Sequence, residues 1–176
     1  MLRHTAPVRP LPDPVAPERA SLVQQLDHQR STLLWKVEGL DDEQLRRRPL
    51  PSSLTLARLL LHLALVEEAW FEERFAGLPE REPFAGVDWD ADPDWEFRTA
   101  LSWRGDDLRE RYRSACARSR AVVDAVPDLD RLSARPRGTG ERFTLRFVLL
   151  HLLHETARHN GHADLLREAV DGSTGH

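Results

Sequence analysis

Four of the eight histidines, His151, His154, His159 and His162, fall within twelve residues of one another, and Glu155 stands among them. Imidazole nitrogens and carboxylate oxygens are the donors from which zinc-type sites are built. At about 100° per residue, a helix through this segment aligns Val148, Leu152, Glu155, His159 and Ala163 in one row leading on to Leu166. The rest of that row is apolar and faces a core. A carboxylate placed there loses its hydration and needs a cation in exchange, and His159, one turn on, can share that cation. His62 shows the same anomaly in a second apolar segment, where Leu59, Leu65, Val66 and Ala69 mark the inward stripe. Two histidines and a glutamate on facing helices make a known catalytic zinc set with a fourth position left for water or substrate.

Periodicity leaves other readings standing. Glu155 and His159 at i, i+4 also make an ordinary intrahelical ion pair worth about 0.2–0.5 kcal/mol, and a lone inward histidine is commonly a hydrogen-bonded core residue. His151 lies four residues before Glu155, and His162 projects within about 20° of His151, so both compete for a place in the ligand set. His154 and Glu155 begin an H-E-x-x-H pattern, but position 158 is Arg, which excludes that metalloprotease motif. Arg158 itself lies beside the ligand row and is a candidate contact for the anionic part of a substrate or cosubstrate. Arg135, Arg137 and Arg142 lie in the loop leading into the same helix, and ordinary surface ion pairs explain these arginines as well as an anionic substrate does. Asp88, Asp90 and Asp92 alternate like calcium ligands, yet Pro93 stands where such a loop needs Gly and Thr99 where it needs a bidentate Glu. An acidic connection with Trp89 and Trp95 tucked inward fits better; the alternative sets those tryptophans at the mouth of the metal cleft. Gly161 costs a helix about 1 kcal/mol relative to Ala, which points to a close helix approach beside the site.

These residues need helices to hold them. Pro7, Pro10, Pro12, Pro14 and Pro17 make residues 1–17 an extended arm. Leu22, Leu26, Leu33 and Val37 mark a first amphipathic helix from Glu18 to about Glu38, closed by Gly39. After the polar segment DDEQLRRRPLPSS, Ser52 or Ser53 can cap a second helix from about Leu54 to Ala76. Leu78 to Ser102 has no sustained period and reads as a long connection with room for a helical turn. A third helix, about Gly105 to Val126, carries Leu108, Tyr112, Ala115, Cys116, Ser119, Val122 and Val123 on one face and stops before Pro127. A fourth starts at the N-cap Thr144 and runs to Asp171 and Gly172. The pattern predicts an all-α, antiparallel four-helix bundle over residues 18–176, preceded by the proline-rich arm.

Bulk properties narrow the function. The 176 residues suit one domain. A net charge of −4 gives no basic footprint for nucleic acid, and no apolar run approaches the length of a membrane span. Met-Leu-Arg-His leads into prolines rather than a signal-peptide core, so a cytoplasmic location is expected. Cys116 is the only cysteine, which rules out an internal disulfide; it sits among apolar residues and reads as a small core side chain. Lys36 is the only lysine among 25 basic residues.

Three segments, LLWKVEGLDDEQL (33–45), LLLHLALVEEAWF (59–71) and LRFVLLHLLHETARHNGHADLLREAVDG (145–172), resemble the DinB-like metal-binding four-helix bundles. The branch they resemble contains the mycothiol-dependent S-transferases and the mycothiol-dependent maleylpyruvate isomerase. Many DinB-like proteins carry an H-x-x-x-H pair before Arg-Gly-Gln; this branch has E-x-x-x-H, and here Asn160, Gly161 and His162 replace the Arg-Gly-Gln tail. The resemblance assigns His62, Glu155 and His159 as ligands of a divalent metal ion, zinc first, with nickel, manganese or iron as alternatives, and so selects Glu155 over His151. It implies transfer of a low-molecular-weight thiol to an electrophile, with the metal activating the thiol, in a homodimer. The isomerase carries a further C-terminal domain with a functional arginine, whereas these residues stop just past Gly172, so isomerase activity is not expected. The rival expectations are a metal-binding stress protein without turnover and a hydrolase using metal-bound water.

Overall fold

The computed structural model describes residues 9–138 and 140–175; Pro7 and the rest of the first eight residues lie outside them. The described chain is all-helical, with no strand and one isolated bridge between Leu132 and Thr144. Six α-helices rather than four are formed: α1 (Glu18–Lys36), α2 (Asp42–Arg46), α3 (Leu56–Glu67), α4 (Trp95–Ala100), α5 (Gly105–Asp124) and α6 (Leu145–Asp171). A π-helical segment, Glu68–Phe75, continues α3 directly.

The long helices follow the sequence pattern closely. Thr144 caps α6, its hydroxyl accepting from the Phe147 amide at 3.2 Å, and Gly172 closes the helix with φ +77°, a left-handed turn that glycine adopts without strain. The start of α3 departs from expectation: Thr55 caps it, accepting from the Arg58 amide, while Ser52 Oγ accepts from the Leu54 amide just upstream. The π winding after Glu67 also departs, because the side-chain types of EEAWFEERF fit either winding and leave no mark of it in the period.

The two added helices are short. Asp41 and Gln44 close a reciprocal capping box on α2, and Leu45 buries against the core. The start of α5 approaches α2 so closely that a Cβ at Gly105 would stand 2.5 Å from Leu45 Cδ1; the Gly105 amide instead donates to Asp42 Oδ1 at 2.7 Å. Trp95 opens α4 in the long connection, where it packs with Phe84 and Trp89 against the main core, so the tryptophans are tucked inward.

Helix α1 packs along α6, and α3 lies between α5, α4 and α6. The described part of the arm doubles back along α1: Asp13 N donates to Gln24 Oε1 at 2.7 Å, His28 Nδ1 donates to Pro10 O at 3.1 Å, and Arg9 donates to Thr32 Oγ1. One apolar cluster centres on α3, with Leu60, Leu61 and Tyr112; a second joins Leu26, Phe71, Val148 and Leu152. Three buried carboxylates are each held by arginine: Arg30 clamps Glu67, Arg111 and Arg118 hold Glu68, and Arg118 with the more exposed Arg81 holds Glu72. No helix among the described residues is long and apolar enough to cross a membrane. Cys116 is buried, and burial first of all pushes its thiol far above the ordinary range, in keeping with a core side chain.

Candidate metal centre

Helices α3 and α6 bring His62, Glu155 and His159 together. One ligand atom from each lies within 4.8 Å of the other two, and this is the one group of three or more His, Cys, Asp or Glu side chains among the described residues that could hold a metal ion. Glu155 Oε1 stands at the centre, 3.1 Å from His159 Nε2 and 3.6 Å from His62 Nε2. The two imidazoles meet edge to face with centroids 4.9 Å apart. All three side chains are half-buried, so the group opens to solvent on one side.

The far side of each imidazole is fixed by a partner that the sequence did not reveal. His62 Nδ1 donates to Glu96 Oε1 at 3.0 Å. Glu96 comes from α4 and is buried, and its second oxygen has no partner among the described residues. With the Nδ1 proton committed to Glu96, a neutral His62 turns the lone pair of Nε2 toward Glu155. His159 Nε2 donates to Glu155 Oε1 through the proton whose place a cation would take, and its Nδ1 lies 3.3 Å from His162 Nδ1, where one ring donates to the other. A carboxylate or second acceptor behind each ligating histidine is the usual support of a metal site. Phe97, next to Glu96, covers the His62 ring at 6.3 Å. On the same helix as Glu155 and His159, Asn160 Nδ2 donates to Gln29 O and Oε1, tying α6 to α1.

The charges suit a cation. Burial alone would raise the Glu155 pKa, but His159 and His62 outweigh it and hold the carboxylate below its ordinary range. Burial, with His62 beside it, keeps His159 below the usual imidazole value against the pull of Glu155. Burial also works against protonating His62, yet Glu96 and then Glu155 prevail and its pKa is raised.

The other sequence candidates lie elsewhere. His151 packs between Trp70 and Phe147, and His154 is exposed. Burial foremost holds His151 below the ordinary imidazole range, opposed by Glu155 and reinforced by Arg137, His154 and Arg74. Arg158 is exposed beside His159. Gly161 is exposed too, and a Cβ there would meet nothing within 4 Å, so a close helix approach does not explain it; nothing in the structure does. A cavity of about 860 Å³ between the π segment, α5 and residues 131–142 is lined by Phe75, Leu78, Val122, Val126 and Leu132 among others, and none of the three converging residues reaches it.

The sequence model of a DinB-like family described as mycothiol-S-transferase matches residues 21–172. A crystal structure described as the conserved protein of locus from Enterococcus faecalis superposes with a TM-score of 0.64 at 18% identity, covering 90% of this chain and 99% of that one, which speaks for the fold alone. No curated protein matches the chain.

Proposed function

Since the chain belongs to the mycothiol-S-transferase family, we propose that it is a divalent-metal-dependent transferase that moves a low-molecular-weight thiol of the mycothiol type onto electrophilic substrates. The observation that carries this reading is the convergence of His62, Glu155 and His159 within 4.8 Å at a half-open surface. The donor set of two imidazole nitrogens and one carboxylate fits zinc or a similar ion and leaves a coordination position free. A cation bound there supplies Lewis acidity that deprotonates a coordinating thiol, and thiolate is the reactive nucleophile.

The chain's own groups do the rest. His62 and His159 are oriented by Glu96 and His162, Glu155 supplies the negative charge, and Phe97 shields one side of the His62 ring from water. Arg158, exposed beside His159, is the contact for an anionic group of the thiol or its acceptor. The thiol must come from the cosubstrate, because Cys116 is buried and protonated. A hydrolytic reading needs Glu96 or Glu155 as its base, and each of these carboxylates already commits one oxygen to a histidine. We also read α1, α3 with its π continuation, α5 and α6 as the four helices of an antiparallel DinB-like bundle, a reading supported by the packing of α1 on α6 and of α3 on α5.

Incubating the zinc-loaded protein with mycothiol and monochlorobimane tests the activity. Formation of the fluorescent conjugate, lost on chelation and restored by metal, is expected; a rate no faster than the uncatalysed reaction with mycothiol, bacillithiol and glutathione alike would overturn the transferase reading.

Glu96 gives a separate expectation that needs no turnover. Glu96→Ala frees the His62 ring to rotate and removes the acceptor for its Nδ1 proton, so zinc affinity in a chelator competition should fall about 10–100-fold. Glu96→Gln, whose carbonyl still accepts that proton, should restore most of the loss. Equal affinities across the three proteins would mean that Glu96 does not position His62.

A further inference from the structure

One helical turn before Glu155, α6 presents a second cluster that the metal site does not use. His151 stacks on Phe147, with centroids 5.9 Å apart and planes 6° from parallel, and lies 4.2 Å from Trp70 of the π segment. Trp70 and Phe147 are 6.1 Å apart, so the three rings close a triangle. Two guanidiniums cover its corners: Arg74 Cζ is 4.9 Å from the Trp70 centroid and Arg137 Cζ is 5.4 Å from that of Phe147.

Neither arginine has a carboxylate partner among the described residues, whereas Arg30, Arg111, Arg118, Arg146 and Arg167 all do. Glu73, the neighbour of Arg74, is paired with Arg135 at 3.4 Å, and Glu155 is taken up by His62 and His159. The shelf is accessible, with Phe147 at 36% exposure and Arg137 exposed. A guanidinium lying over a ring uses its flat face there, while its N–H edge remains available for bidentate pairing with an anion. Ring faces favour a flat apolar body, and two unneutralised guanidiniums favour a negative charge on it.

We propose that the Trp70–Phe147–His151 shelf, with Arg74 and Arg137, binds a planar aromatic carboxylate. Resting on the transferase reading, this ligand is the class of acceptor that meets the thiol at the Glu155 end of the shelf. The ring system stacks on Phe147 and Trp70, and its carboxylate lies along the arginine edges.

Calorimetric titration of the protein with 2-naphthoate and with neutral 2-naphthamide, in metal-depleted and zinc-loaded forms, tests the site without turnover. One naphthoate per chain is expected, bound at least about tenfold more tightly than the amide, the factor given by one charge-assisted contact. Arg74→Gln and Arg137→Gln should each remove about that factor for naphthoate and leave the amide unchanged; Phe147→Ala should weaken both. Both arginines are partly or fully exposed, so their replacement spares the fold. No naphthoate binding at millimolar concentration, equal binding of the two probes, or naphthoate affinity unaltered in both arginine variants would overturn the proposal. Because the metal-depleted form is included, loss of the metal-thiol reading would leave this result standing, and the reverse holds as well.

Discussion

Replacing Glu155 by Ala is expected to abolish stoichiometric binding of zinc, while replacing His151 by Ala leaves it intact. Glu155 is the one group that touches both imidazoles, at 3.1 and 3.6 Å, and the one negative charge among the three converging side chains. Without it two neutral nitrogens remain, a set that lacks the third protein ligand of an open zinc site. His151 is one turn away on the same helix, so it could in principle serve with a rotated α6, but its ring is held between Trp70 and Phe147. The comparison separates site chemistry from folding. Glu155 is half-exposed, and α6 is anchored around it by the buried Val148, Leu152, Thr156 and Asn160, so the variant should keep the helical circular dichroism of the parent. Metal content of the untagged, zinc-equilibrated proteins measures the outcome. Equal loss in both variants would mean that the cation sits on the other face of α6.

How far the sequence could lead to this centre differs from element to element. The row through Val148, Leu152 and Ala163 was readable because α6 is 27 residues long and keeps one winding throughout, but its buried line continues through Thr156 and Asn160, and Glu155 and His159, read as inward, stand half-buried at its edge. On α3, only 12 residues long before it turns π, the sequence marked Leu59, Leu65, Val66 and Ala69 as the inward stripe; the buried face runs through Leu59, Leu60, Leu63 and Ala64, and His62 lies half-buried with Leu65, Val66 and Ala69 at its edge. Glu96 was not readable. It belongs to a six-residue helix in a segment with no period, and its hydrogen bond to His62 spans 34 positions, a pairing that only the packing of α4 on α3 creates. His162 was visible as a rival ligand rather than as the partner behind His159, because a projection gives direction but not which ring nitrogen faces which neighbour. The buried carboxylates Glu67, Glu68 and Glu72 were equally hidden. They lie where α winding passes into π winding, and in the sequence a glutamate and arginine pattern on helices reads as a solvated face.

The deepest of those carboxylates carries the largest stability effect to be expected of this fold. Glu67→Ala should cost about 3–5 kcal/mol, the usual result of removing one partner from a buried ion pair. Arg30, 2% exposed, donates from Nε to Glu67 Oε1 at 2.7 Å and from Nη2 to Oε2 at 2.6 Å, and its guanidinium lies over Phe71. Its one other carboxylate, Asp27, is shared with the outer Arg120. Deleting Glu67 therefore strands a charge that cannot be given up, since arginine stays protonated. Against a total stability of about 5–15 kcal/mol for a typical domain, that loss should be plain as a lower urea midpoint. The double variant Arg30→Met with Glu67→Leu should instead come close to the parent or exceed it, because no charge is then left to desolvate. A cost below about 1 kcal/mol for Glu67→Ala would show that Asp27 or water satisfies Arg30 unaided. The pair joins α1 to α3, and α1 in turn packs on α6, so it underlies the spacing of the helices that carry His62 and Glu155. The orientation of His62, however, is set by Glu96 from the opposite side. The apolar double variant should accordingly keep its zinc affinity, and a marked loss in a fully folded double variant would transfer to the Arg30–Glu67 pair a part of the positioning here assigned to Glu96.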